Sequence, residues 1–202
     1  IVDSALAIYH MAKTDVVSAS SGKYYRQVCD IDMAGVSFTT IGTCSGSSGQ
    51  VNISRPFAGV YDGGDYRIKN LVVENPTGVG QGLFGAVRNG VIKNVIIDET
   101  CSFHVGSYVG GIVALAENSE IISCRNEADI YAEVNSSGST SARAYAGGIV
   151  AEATNTTVKN CVNSGAITGN IEAQGWGFVG AQNVGGIAAD ISTGSSAVNC
   201  RN

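Results

Sequence analysis

The stretch "YVGGIVALAENSEIISCRN" (108–126) sets two adjacent glycines before an apolar run, a polar turn, a second apolar run and a cysteine, with no reactive constellation in it. The same order of residues returns in "QGLFGAVRNGVIKNVII" (81–97), "GGIVAEATNTTVKNCVNSGAI" (147–167) and "GGIAADISTGSSAVNCRN" (185–202). A diverged copy, "FAGVYDGGDYRIKNLVV" (57–73), precedes them. Taking Gly82, Gly111, Gly148 and Gly186 as equivalent gives steps of 29 (82 to 111), 37 (111 to 148) and 38 (148 to 186) residues, the spacing of stacked supersecondary units.

Within a copy the runs Ile149–Ala151 and Val158–Cys161 are short and partly β-branched, and a third run, "DIYAEV" (129–134) or "AITGNIEA" (166–173), alternates with period two. These read as three strands joined by turns. A copy of three short strands is too thin to bury its own apolar face, so the copies must stack with parallel neighbours. The prediction is an all-β parallel β-helix, a solenoid of about three strands per rung. The glycine pairs fall at a corner, where the next rung's backbone lies about 4.8 Å away and a Cβ or a restriction to negative φ would be costly.

Cys124, Cys161 and Cys200 take equivalent places, with Val95 and Leu71 in the earlier copies, and alternation with aliphatic residues marks a buried position. In-register strands hold their Cβ atoms too far apart for disulfides, so these three are expected as free thiols. Cys29 and Cys44, outside the repeats, are the one pair considered for a bridge. Asn126, Asn163 and Asn202 stand two places after those cysteines, share their face, and should stack as an amide ladder. At the start, "DSALAIYHMAK" (3–13) places Ala5, Leu6, Ile8, Tyr9 and Ala12 at near-helical spacing behind Asp3 and Ser4, an amphipathic helix that would cover the first rung. The expected organisation is one domain over 1–202: a capping helix in 1–14, diverged rungs in 24–73 and repeats in 81–202. The last copy is incomplete, so further domains of the same polypeptide are expected after Asn202.

The chain has 202 residues, 14% of them charged, with a net charge of −5. No positive field exists to hold nucleic acid or an anionic membrane, and no apolar run approaches the ~20 residues of a membrane span. Twenty-seven glycines and six cysteines suit a secreted β protein, with any signal sequence already removed.

The blocks "YYRQVCDIDMAG" (24–35), "FTTIG" (38–42), "PFAGVYDGGDYRIKNLVV" (56–73) and "GLFGAV" (82–87) resemble those of GLUG-motif β-helix proteins. The later copies depart from that pattern by reading Gly-Gly-Ile-Val-Ala. Such segments occur in adhesin-like surface proteins of gut bacteria and as non-catalytic parts of IgA-cleaving metalloproteases. The resemblance implies a right-handed, extracellular or cell-surface module and supplies no catalytic residues and no cofactor.

The residues favour a non-catalytic module over an enzyme. "RIK" (67–69) occurs in β-helical pectin hydrolases, but their companion carboxylate and histidine blocks are missing, and Ile68 alternates with outward Arg67 and Lys69 as in an ordinary strand. Asp62 and Asp65 in "DGGD" are a weak calcium candidate, with the residue types of a tight turn. His10 and His104 have no nucleophile-elbow sequence beside them. The remaining signal is aromatic. The segments "SFHVGSY" (102–108), "YAEVNSSGSTSARAY" (131–145) and "GNIEAQGWGFVGAQN" (169–183) vary in length between copies, and insertions in stacked units fall on one side. They carry His104, Tyr108, Tyr131, Tyr145, Trp176 and Phe178, whose rings are expected on one face, where they would stack on a glycan or a host protein. Two functions compete with that one: a spacer within a larger surface protein, and a polysaccharide-degrading enzyme.

Overall fold

In the computed structural model, which describes residues 1–47, 50–137, 141–174 and 179–202, asparagine turns the chain at most corners of the repeats. Asn70, Asn94, Asn160 and Asn199, with Ser123 in the equivalent place, have φ of 52–55°, and Asn89, Asn118 and Asn155 have φ of 47–55°. Asparagine enters this left-handed region readily because its short amide bonds locally. The run Val158–Cys161, expected as one strand, therefore ends at Asn160, with Thr157–Lys159 before the turn and a separate strand Val162–Asn163 after it. A copy has four strands, or five where its last run is divided, not three.

These strands distribute over four sheets. Sheet I runs Tyr24–Arg26, Val60–Asp62, Val91–Lys93, Glu120–Ile122, Thr157–Lys159, Ser196–Val198. Sheet II collects Ile31–Asp32, Arg67–Lys69, Ile96–Ile97, Arg125–Asn126 and Val162–Asn163. Sheet III begins with Val72–Gln81 and Ser102–Gly110, then continues as two branches, Asp129–Ser137 with Ile167–Gln174 and Ser141–Gly147 with Val179–Gly185. Sheet IV holds Phe84–Arg88, Val113–Glu117, Val150–Thr154 and Ala188–Ile191. Every pairing within the four sheets is parallel. The chain visits sheets IV, I, II and III in turn, so neighbours within a sheet come from successive copies.

Period-two alternation points one row of each sheet inward. In sheet I that row is Tyr61, Ile92, Ile121 and Val158, in register and fully buried, each contributing about 1.5–3 kcal/mol by leaving water. Leu71, Val95, Cys124 and Cys161 occupy the equivalent inner position, and all six cysteines are free. The bridge considered between Cys29 and Cys44 is absent: the Cys29 thiol bonds the Asp3 carbonyl and the Cys44 thiol that of Gly85.

The asparagine ladder forms. Asn126 Nδ2 donates to Asn163 Oδ1 (2.8 Å) and to the Ala128 carbonyl (2.8 Å), and Asn163 Nδ2 donates to Asn202 Oδ1 (2.7 Å) and to the Gly165 carbonyl (2.9 Å). Gly111, Gly148 and Gly186 stand against this ladder, and none has positive φ. A Cβ on Gly111 would lie 2.5 Å from the Gly148 carbonyl oxygen and 2.6 Å from Asn126 Oδ1. Close approach is what these positions demand, and the left-handed conformation expected of them is taken by asparagine elsewhere.

The expected capping helix is two helices, Ala5–Met11 and Thr14–Ser18. The Ser4 hydroxyl caps the first by accepting from the Ala7 amide, and Ile8, Met11 and Val17 join the main core. Leu6, placed on the apolar face by its spacing, is instead 63% exposed. One antiparallel element was not anticipated: the hairpin Thr43–Ser47 with Gln50–Arg55.

Candidate functional site

The described parts of the three variable segments belong to strands of sheet III and lie side by side. Ser102–Gly110 pairs with Asp129–Ser137 through its first half and with Ser141–Gly147 through its last residues. The extra residues of the later copies stack on each other, with Glu133 opposite Asn170 and Tyr145 opposite Asn183. Alternation then sends Phe103 and Val105 into the core and His104 and Tyr108 outward.

Only some of the expected ring residues meet. His104 and Tyr131, paired in register, have ring centroids 5.0 Å apart and are partly exposed. Tyr108 and Tyr145 stack on each other at 4.6 Å, but are 1% and 7% exposed. The hairpin covers them: Cys44, Val51 and Ile53 pack with Tyr108, Tyr145, Ala114, Leu115 and Ala151 into a second small core. The expectation that these two tyrosines present their faces to a ligand is therefore corrected. Burial also pushes the Cys44 thiol up to about 12, which leaves it protonated and unreactive. Trp176 and Phe178 lie outside the described residues.

His104 is held between successive copies. Its Nδ1 lies 2.8 Å from Glu74 Oε1 and its Nε2 3.1 Å from Glu133 Oε2. The hydrogen bond with Glu133 raises the imidazole pKa, partial burial works against it, and the charge of Glu74 adds to the rise. Glu133 also lines a half-open cleft of about 460 Å³, together with Gly46 and Ser47 of the hairpin, Pro76–Val79, Gly106 and Ser107, and Val134 and Asn135. Hydroxyl, amide, carboxylate and backbone groups converge there. A larger hollow of about 640 Å³ beside the N-terminal helices, between Met11 and Tyr25, is lined mainly by apolar groups. The smaller cleft is the better candidate because polar groups that fix orientation meet in it.

On the other flank of the hairpin a cavity of about 270 Å³ contains Asn52, Thr154, the Arg88–Glu117 ion pair and Glu152. Burial, and the charge of in-register Asp190, hold the Glu152 carboxyl above its ordinary range. Sequence reading passed over Glu74, Glu133 and Glu152. Their signal is spacing: Glu74 and Glu133 stand 30 and 29 residues from His104, and Asp190 stands 38 from Glu152, each about one repeat step.

The carboxylates singled out for calcium are otherwise employed. Asp62 accepts from Tyr24 Oη (2.6 Å), Asn94 Nδ2 (2.9 Å) and the Gly64 amide (3.1 Å), with Lys93 Nζ at 3.4 Å. Burial alone would raise its pKa, but these bonds and the Lys93 charge hold it well below the carboxylate range. Asp65 is exposed with φ of 61°, a turn position. Among the described residues no group of three or more His, Cys, Asp or Glu is placed to hold a metal ion. In "RIK", Ile68 is fully buried, Arg67 bridges Asp98 (2.7 Å) and Glu127 (2.6 Å), and Lys69 pairs with Asp30 (2.7 Å). The triplet ties neighbouring strands of sheet II together. Among the described residues no helix is long and apolar enough to cross a membrane.

The family model of the GLUG motif matches residues 142–168, one full circuit from sheet III through IV, I and II back to III. No curated protein matches the chain. Among solved structures, a candidate immunoglobulin A1 protease from Bacteroides ovatus, determined at 1.30 Å resolution, is similar in fold. It has a TM-score of 0.50 and 18% identity, over 98% of this chain and 73% of that one. The motif and the circuit of strands it spans make this chain a GLUG-motif-containing protein of all-β, mainly parallel architecture.

Proposed function

We propose that this chain is a non-catalytic recognition module of a secreted or cell-surface protein. It is built as a right-handed β-helix, the hand that parallel crossover connections almost always take, and acts in adhesion by binding a glycan on the outward side of sheet III. The observation that carries this reading is the cleft beside His104 and Tyr131. The Glu133 carboxylate, the Asn135 amide and the Ser47 and Thr77 hydroxyls line one opening, and the Tyr131 ring, two residues before Glu133 on the same strand face, packs on His104 next to it, a mixture of groups suited to hydroxyl-rich ligands. A host protein is the alternative ligand. The likeness to a Bacteroides ovatus protein supports the extracellular setting, and the GLUG motif supports a non-catalytic role.

An array of immobilised oligosaccharides tests the reading. The protein should bind a defined subset, and Tyr131→Ala and Glu133→Gln should each weaken that binding about tenfold or more, the loss of ~1.4 kcal/mol. Binding that survives both substitutions would move the site elsewhere.

A spacer within a larger surface protein is the second reading. The asparagine ladder, the glycines against it and the stacked cysteines favour it, since they extend one pattern from copy to copy without reference to a ligand. Absence of array binding together with an intact thermal transition supports the spacer.

A further inference from the structure

Glu133 belongs to two arrangements at once: it bonds His104, and it lines the cleft. The register explains why. Val105 pairs with Ala132, so Glu133 falls beside Gly106, where the preceding strand offers no side chain. A Cβ at Gly106 would lie 2.5 Å from the Pro76 carbonyl oxygen, and the depression left there is the floor of the cleft. The Glu133 side chain is 21% exposed and that of Glu74 is 60% exposed.

His104 bonds both carboxylates only as an imidazolium. A neutral ring has one N–H and one lone pair, and the lone pair would face a carboxylate oxygen. The titratable groups facing the ring are Glu74 from Val72–Gln81, and Glu133 and Tyr131 from Asp129–Ser137. Its own-strand neighbours, Phe103 and Val105, are in the core. The neutral ring has a single donor for two carboxylates, so the two-point anchorage of the ring is lost and both it and Glu133 gain freedom.

We infer that protonation of His104 regulates the affinity of the cleft for its glycan, by fixing the ring and the Glu133 carboxylate when charged and releasing them when neutral. This rests on the reading of the cleft as a recognition site. Ordering one or two loosened side chains weakens binding about three- to tenfold, so affinity is highest below the His104 pKa and falls as pH rises through it. By linkage, bound glycan raises that pKa.

The experiment has two arms. In the first, NMR follows the His104 ring signal against pH in a His10→Gln background, where a single histidine reports. It should titrate above the ordinary value of about 6.5, and Glu74→Gln, which keeps an acceptor but removes a charge outside the cleft, should lower it. In the second, the array of neutral and sialylated oligosaccharides is read at about pH 5.5 and about pH 8.5, on either side of the histidine range. Binding should be about three- to tenfold weaker at the higher pH, Glu74→Gln should move its midpoint down with the ring titration, and His104→Gln should bind without pH dependence. A ring titrating at or below about 6.5 overturns the inference. So does equal binding at both pH values, which leaves the recognition reading intact. Binding to no oligosaccharide at either pH overturns the glycan reading and the inference together, and a raised titration would then mark a clamp serving stability alone.

Discussion

His104 and Tyr131 lie on the same outward face of sheet III as Tyr108 and Tyr145, and the two pairs resemble each other as sequence. Both are polar-tipped rings on alternating strands, and in both the partners stand one copy apart. In the structure one pair is open beside a cleft and the other is sealed at 1% and 7% exposure. The difference comes from outside the repeats, because the hairpin 43–55 lays Cys44, Val51 and Ile53 over the second pair. An outward direction is thus a property of the strand, whereas exposure depends on what else in the chain packs there.

The sharpest test is truncation of one ring from each pair. Tyr108→Ala should cost about 3–5 kcal/mol, as for other large buried aromatics, and lower Tm by about 6–20 °C in a chain of this size. Tyr131→Ala should cost less than ~1 kcal/mol. Equal Tm values in the two variants would erase the distinction between a covered and an open pair. Replacing residues 43–55 by a short Gly-Ser linker turns the covered pair into an open one. It should cost about 2–3 kcal/mol through the apolar contacts of Val51 and Ile53 and raise binding of a hydrophobic dye. An unchanged dye signal would mean that the hairpin is not what shields the tyrosines.

Smaller effects come from pH. The raised pKa of His104 means that its ion pairs contribute stability fully below the unfolded value of about 6.5 and lose it as pH rises through the folded value. For a side chain one-third exposed the contribution is at most ~1 kcal/mol, seen as a decline in Tm above neutrality that His104→Gln removes. Asp62, Asp98 and Glu127 behave oppositely. Bonds from Tyr24, Asn94 and Gly64 outweigh burial at Asp62, those from Thr100 and Arg67 outweigh it at Asp98, and Arg67 depresses Glu127. Their stabilisation is present above the unfolded carboxylate values of about 4 and lost as pH falls through the folded ones. If the alkaline decline persists in His104→Gln, the clamp is not its source. The smallest expected effect is that of calcium: with the Asp62 oxygens already bonded, millimolar Ca²⁺ should shift Tm by less than ~1 °C, as for a ligand without a site. A larger rise would reinstate Asp62 and Asp65 as ligands.

Much of the fold was legible because it repeats. The steps of 29, 37 and 38 residues, the buried place shared by Leu71, Val95, Cys124 and Cys161 and the asparagine ladder all follow from one constraint. In a stack of parallel strands each copy presents the same position to the same neighbour, so identity of residue reports identity of place. The helical start was legible from Ser4 and the spacing of Ile8 and Met11. The four-strand circuit was less so, since Asn160 can sit within a strand or turn it, and the chain's path around the core settles which. The charged groups around the cleft carried a faint signal in their repeat-step spacing, which shows which residues are neighbours but not which way they face.

What the sequence determined by itself is therefore the parallel all-β repeat, its inner columns and the GLUG resemblance, because these depend on period and on contacts between like positions. Which rings meet solvent was decided only by tertiary structure. The hairpin that covers Tyr108 comes from more than fifty residues upstream and contributes only the alternation of Val51 and Ile53 with Asn52 and Ser54, which is common to any half-buried strand. Packing between segments so distant leaves no period in the chain. The exposure of Tyr131 and the pairing of His104 with two carboxylates depend on it as much as the burial of Tyr108 does.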